Sequence, residues 1–97
     1  MGVYVTRISL DGMPFLDGVT NVGVRPTFGE NKLTIETFAI NDSVPADAAF
    51  ARLDFLCRVR DEIKFDSPDA LRKQIAKDVQ STEKFFRLLR YAERHPN

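Results

Sequence analysis

Glu36 is the residue whose neighbours best suit chemistry. It lies in Leu33-Thr34-Ile35-Glu36-Thr37-Phe38-Ala39-Ile40, where strand alternation puts Phe38 and Ile40 on its own face. A carboxylate sharing a face with large apolar groups is either paired or functional, because burying it alone is costly. The pattern leaves both open: a rim glutamate bonded to a cross-strand Arg or Lys, or a group that handles a proton. Arg60 closes the run Phe50-Ala51-Arg52-Leu53-Asp54-Phe55-Leu56-Cys57-Arg58-Val59-Arg60 and reads, on pattern, as a solvated strand-end arginine. The remaining candidates are weaker. His95 belongs to a terminal tail, and Asp54, Asp61, Glu62 and Asp66 are surface acids without the spacing of a metal cage. No G-x-x-x-x-G-K-[ST] or G-x-G-x-x-G phosphate loop occurs. The single Cys57 can form neither an internal disulfide nor a zinc site.

The elements that must position these groups fall into two halves. Strands separated by turns are expected from residue 2 to about 60, and helices from about 68 to 94. Val3, Val5 and Ile8 open a β-run that stops at Asp11-Gly12, a hairpin dipeptide. The next run, residues 13–22, contains Pro14 and Gly18 and suggests an edge or bulged strand. Residues 21–32 are expected to loop, because Gly23, Pro26, Gly29 and Asn31 interrupt a ladder. Residues 33–41 form the clearest strand, and residues 42–48 read as a connection. In the following strand Leu53, Phe55, Cys57 and Val59 alternate with Arg52, Asp54, Arg58 and Arg60. Ser67-Pro68-Asp69 announces a helix with an N-cap, a first-turn proline and an acid. Leu71, Ile75 and Val79 give it an apolar stripe suited to covering a sheet, while Arg87, Arg90 and Arg94 take the solvated side. Pattern alone allows one long helix or a second one starting at Ser81.

The bulk numbers narrow the class. With 97 residues, 43% hydrophobic and 29% charged, the chain suits one small domain over 1–97. Fourteen Lys and Arg balance fourteen Asp and Glu, so the basic excess that drives nonspecific nucleic-acid binding is missing. No apolar run is long enough to span a bilayer and no signal-peptide core opens the chain. No nucleic acid, no membrane and a cytoplasmic setting are the expectations.

Taken in order, Gly2-Val3-Tyr4, Asn21-Val22-Gly23-Val24-Arg25-Pro26-Thr27-Phe28, Thr34-Ile35-Glu36, the strand ending at Arg60, and Phe65-Asp66-Ser67-Pro68-Asp69-Ala70-Leu71-Arg72-Lys73-Gln74-Ile75-Ala76-Lys77-Asp78 match a family pattern. The chain resembles the riboflavin kinase module, the C-terminal half of bacterial bifunctional riboflavin kinase/FAD synthetases. The resemblance implies a mainly β fold with C-terminal helices: a six-stranded antiparallel barrel, here without its first strand. It implies transfer of the ATP γ-phosphate to the riboflavin 5′-hydroxyl, giving FMN and ADP, with Glu36 as catalytic base. Partial burial beside Phe38 is expected to strengthen that base. The resemblance assigns Arg60 and Phe65 to the flavin, and Gly2, Tyr4, Gly23, Phe38 and Asn41 to the nucleotide.

Three departures qualify the match. The Pro-Thr-Ala-Asn segment, whose Thr and Asn hold Mg²⁺ in this family, does not occur in the 97 residues. Thr27 belongs to another block and does not replace it. No residue here is therefore assigned to a metal, and weak or absent kinase activity is expected from this sequence alone. The family's Leu-Tyr-Gly is replaced by residues near Ala46, Asp47 and Ala48, and the adenylyltransferase half lies outside the sequence. Two other readings stand beside the kinase: a noncatalytic flavin- or nucleotide-binding module, and a small interaction domain whose exposed barrel edge supports a homodimer.

Overall fold

A computed structural model of the chain describes residues 1–40, 44 and 47–95. Four strands, β1 (Gly2–Leu10), β2 (Leu16–Thr27), β3 (Glu30–Ala39) and β4 (Ala51–Arg60), form one antiparallel sheet in the order β3-β2-β1-β4. A single helix, α1 (Pro68–Arg94), follows. The antiparallel, mainly β character agrees with the sequence reading. The described residues supply four strands rather than a six-stranded barrel. They also supply one continuous helix through Ser81 rather than two.

The chain reverses where its turn chemistry says it should. Asp11 and Gly12 take φ values of 49° and 75°, and Met13 N–H donates to the Leu10 carbonyl at 2.9 Å, the geometry that matches a hairpin's twist. The reading of residues 21–32 as a loop is corrected. β2 continues to Thr27, and its register with β3 runs unbroken from Gly18↔Ala39 to Thr27↔Glu30, reversing at Phe28-Gly29. β1 pairs with β2 only as far as Gly2↔Val22, so among the described residues, residues 23–27 have one neighbouring strand. Pro26 is tolerated there because its missing N–H need not serve a second ladder. β2 is likewise an interior strand, not an edge. Pro14 precedes it, and Gly18 fits because a β-carbon there would lie 2.9 Å from Thr6 Oγ1.

The helix is capped as the sequence implies. Ser67 Oγ accepts from Ala70 N–H at 3.1 Å, with Pro68 in the first turn. The stripe it buries differs from Leu71, Ile75 and Val79, however. Asp78, Thr82 and Phe86 are its buried residues, spaced four apart on one face, while Leu71 and Ile75 stay exposed. Phe86, 1% exposed, contributes on the order of 1.5–3 kcal/mol by leaving water. The guanidinium groups of Arg7 and Arg90 stand 5.9 and 5.5 Å from its ring centre. Arg90 also pairs with Asp17 at 2.5 Å, so it ties helix to sheet instead of facing only solvent.

The sheet's two faces differ. Val3, Val5, Val19 and Asn21 share the helix side, and Tyr4, Thr6 and Thr20 the other. On the far side three hydroxyls join the strands: Thr6 Oγ1 lies 2.8 Å from Thr20 Oγ1, which lies 2.8 Å from Thr37 Oγ1.

Candidate functional site

Arg60 reaches the helix side of the sheet because β4 is irregular. Its register against β1 slips between Val5 and Thr6 and again between Val3 and Tyr4. Regular alternation would put Arg58 and Arg60 on one face. The second slip makes Val59 a bulge, so Arg58 lies across from Tyr4 and Arg60 across from Val3. The first slip places Cys57 opposite Val5, separating it from Phe55. The simple two-face reading of this strand is therefore corrected.

The separated arginines meet different partners. Arg58 donates to the Met1 carbonyl and pairs with Asp61. Its hydrogen bond with Tyr4, reinforced by Asp61, holds this guanidinium above its ordinary basicity. Arg60 instead grips α1 through a fork. Nε donates to Asp78 Oδ1 at 2.9 Å and Nη2 to Asp78 Oδ2 at 2.7 Å. Gln74 Nε2, one turn earlier, donates to Asp78 Oδ1 at 3.1 Å. Nη1 donates to the Asp61 carbonyl at 2.9 Å. The Phe65 ring centre, two residues before the helix cap, lies 5.9 Å from the Arg60 guanidinium carbon.

A cleft of about 480 Å³ opens between this assembly and the outer part of the sheet. One wall carries Arg60, Phe65, Leu71 and Ile75; the other carries Asn21, Arg25, Glu36 and Phe38. β3 supplies Glu36 and Phe38 as i, i+2 residues of one face, and β2 sets Asn21 directly across from Glu36. Arg25 Nη2 donates to Glu36 Oε1 at 2.6 Å, the cross-strand partner that pattern allowed. The Glu36 side chain is 57% exposed, only partly covered, because among the described residues β3 has β2 on one side only.

Four residues singled out from sequence thus share the cleft: Glu36, Phe38, Arg60 and Phe65. Gly23 lies beneath it. A β-carbon there would sit 2.2 Å from Glu62 Oε1, so the missing side chain lets residues 61–65 close onto β2. Gly2 and Tyr4 are not among the lining residues. A β-carbon on Gly2, at φ 149°, would meet the Arg60 carbonyl oxygen at 2.6 Å, and Tyr4 packs edge-on against Phe55 on the far face. Asn41 and Ala46 fall outside the described residues.

The sequence reading missed Asn21, Arg25, Gln74 and Asp78 as site residues. All four lie within the family blocks, Asn21 and Arg25 in the Asn21–Phe28 block and Gln74 and Asp78 in the helix block, so that signal was available. Asn21 Oδ1 is buried without a hydrogen-bond partner, which nothing local in the sequence marks. Among the described residues no group of three His, Cys, Asp or Glu stands together as a metal site. Glu36 and Asp78 are already engaged by arginines. Among the described residues, therefore, no donor set fits the Mg²⁺ that the resemblance implies.

A family model described as riboflavin kinase, or flavokinase, matches residues 1–86. A bifunctional riboflavin kinase/FMN adenylyltransferase of Haemophilus influenzae is 34% identical over 85 residues, covering 88% of this chain and 28% of that protein. A protein of Bacillus subtilis described as an RNA-binding riboflavin kinase is 37% identical over 73 residues, covering 74% of this chain and 32% of that protein. A solved structure described as a macrolide-efflux protein from Streptococcus pneumoniae superposes with a TM-score of 0.74 at 27% identity, covering 84% of this chain and 27% of that one. The chain spans less than a third of these proteins' lengths.

Proposed function

The chain belongs to the riboflavin kinase family, and on that premise we propose that its cleft binds riboflavin with the ribityl 5′-hydroxyl at Glu36. The observation that carries this is the opposition of unlike walls. A guanidinium and an aromatic ring stand on one side, and a solvent-reachable carboxylate on the other. The first pair suits a planar heteroaromatic ring. The carboxylate suits a primary alcohol, whose proton it accepts while the alcohol oxygen bonds to the γ-phosphorus of ATP and the bond to ADP breaks. Arg25 must release Glu36 for that step. In this reading the nucleotide approaches from the Phe38 side.

Electrostatic stabilisation of the moving phosphoryl group is normally the larger share of such catalysis, and no metal-holding set is found among the described residues. Turnover by this sequence alone is therefore expected to be slow, with flavin binding retained. A noncatalytic flavin-binding module is the second reading, favoured by the lack of such a set among the described residues. The balanced charge of the chain argues against a nucleic-acid partner.

The test is riboflavin binding by fluorescence quenching, together with FMN formation from ATP, for the chain and for Glu36→Gln. We expect comparable flavin affinity and a fall in FMN formation of roughly 10²–10⁴-fold. An unchanged rate removes Glu36 as the base. Binding without any FMN formation selects the second reading.

A further inference from the structure

We propose that Asp78, with Gln74 behind it, is the positioning residue that aims Arg60 at the flavin ring; this rests on the flavin reading of the cleft. A free arginine side chain samples many rotamers, and ordering it on binding weakens affinity. Here that ordering is done in advance. Both Asp78 oxygens are used by the Arg60 fork, at 2.9 and 2.7 Å, and Asp78 Oδ1 also accepts from Gln74. The pair is withdrawn from water, with side chains 18% and 7% exposed. Nη1 is fixed from another direction by the Asp61 carbonyl.

Counting donors shows what remains. Of the five N–H bonds of a guanidinium, three are occupied, leaving one on Nη1 and one on Nη2. The flat face of the group also remains, close to Phe65. The Asp78 carboxylate also balances the Arg60 charge. The combination presents a nearly neutral plate with two fixed donors, which suits the carbonyl-bearing edge of an uncharged heteroaromatic ring. An anionic phosphate is better met by an arginine whose charge is not already balanced.

A merely structural ion pair also stabilises the fold, so the test must read coupling through Arg60. Riboflavin affinity is measured by fluorescence quenching for the chain, Asp78→Asn, Gln74→Leu and Arg60→Lys, and for each of the first two changes combined with Arg60→Lys. We expect Asp78→Asn to weaken binding roughly tenfold or more and Gln74→Leu by about threefold. Neither should weaken it further once Arg60 is Lys, because a lysine cannot take the fork. Equal losses in both backgrounds overturn the positioning role and leave the flavin reading standing. Should Asp78→Asn fail to fold, the Gln74→Leu cycle decides by the same criterion. If the unmodified chain binds no riboflavin, the flavin reading falls and this proposal falls with it.

Discussion

Two arginine–carboxylate pairs flank the cleft, of similar length and opposite character. Arg25 and Glu36 meet at 2.6 Å with side chains 61% and 57% exposed. Arg60 and Asp78 meet at 2.7 Å with side chains 18% and 7% exposed. The first joins two strands at the sheet's outer margin by a single bond; the second joins sheet to helix by two. Water screens the outer pair, which makes it weak and exchangeable. The inner pair cannot separate without stranding a charge. A hydrogen-bond distance therefore says little about what a pair does. The exposed one leaves its carboxylate available for chemistry, and the buried one makes its arginine part of the frame.

The comparison is easiest to break by truncation. Asp78→Ala leaves Arg60 uncompensated and is expected to lower stability by about 3–5 kcal/mol. Arg25→Ala is expected to change it by less than about 1 kcal/mol. Urea denaturation of both variants checks this, and equal losses would end the distinction. A smaller contrast comes from two glycines. A methyl at Gly18 meets Thr6 Oγ1 at 2.9 Å inside a buried hydroxyl pair, so Gly18→Ala should cost about 1–3 kcal/mol. At Gly23 the obstacle is the end of the exposed Glu62 side chain, which can swing aside. Gly23→Ala should cost less than Gly18→Ala in thermal denaturation; the reverse order would mean that residues 61–65 are as rigid as the sheet. The smallest effect is expected from salt. Near 1 M ionic strength, where screening reaches about 3 Å, the Glu36 side-chain carboxyl resonance should shift in NMR while that of Asp78 stays. A shift of both would show the inner pair to be solvated.

How much of this the sequence disclosed depends on the range of the interaction. Local chemistry was legible: Asp11-Gly12 made its turn, Ser67-Pro68 capped its helix, and the alternation around Glu36 put it on a face with Phe38. Events decided by a partner strand were not. The bulge at Val59 is set by pairing with β1, so the opposite fates of Arg58 and Arg60 could not be read from β4 itself. Residues 23–27 carry turn formers yet extend because β3 offers a ladder, tertiary pairing overriding propensity. By spacing, Leu71 and Ile75 are the natural buried stripe. The helix instead turns Asp78, Thr82 and Phe86 inward, with Asp78 meeting Arg60, and a stripe count contains no information about that partner. The exposure of Glu36 follows from strand order, which no local pattern encodes.

The hydroxyl chain Thr6–Thr20–Thr37 has a consequence for folding fidelity. Thr6 and Thr20 are 0% exposed, so each depends on its neighbour across the strand gap. Sliding β2 by one residue would turn its hydroxyl to the helix side. Sliding it by two towards Gly2 would set the Thr20 hydroxyl between Gly2 and Ile35, at about 1–3 kcal/mol for each orphaned group. An all-valine version of that face would be more forgiving of such slips. The threonines act as a keyway: they add little net stability, but they make the wrong alignments of the sheet expensive.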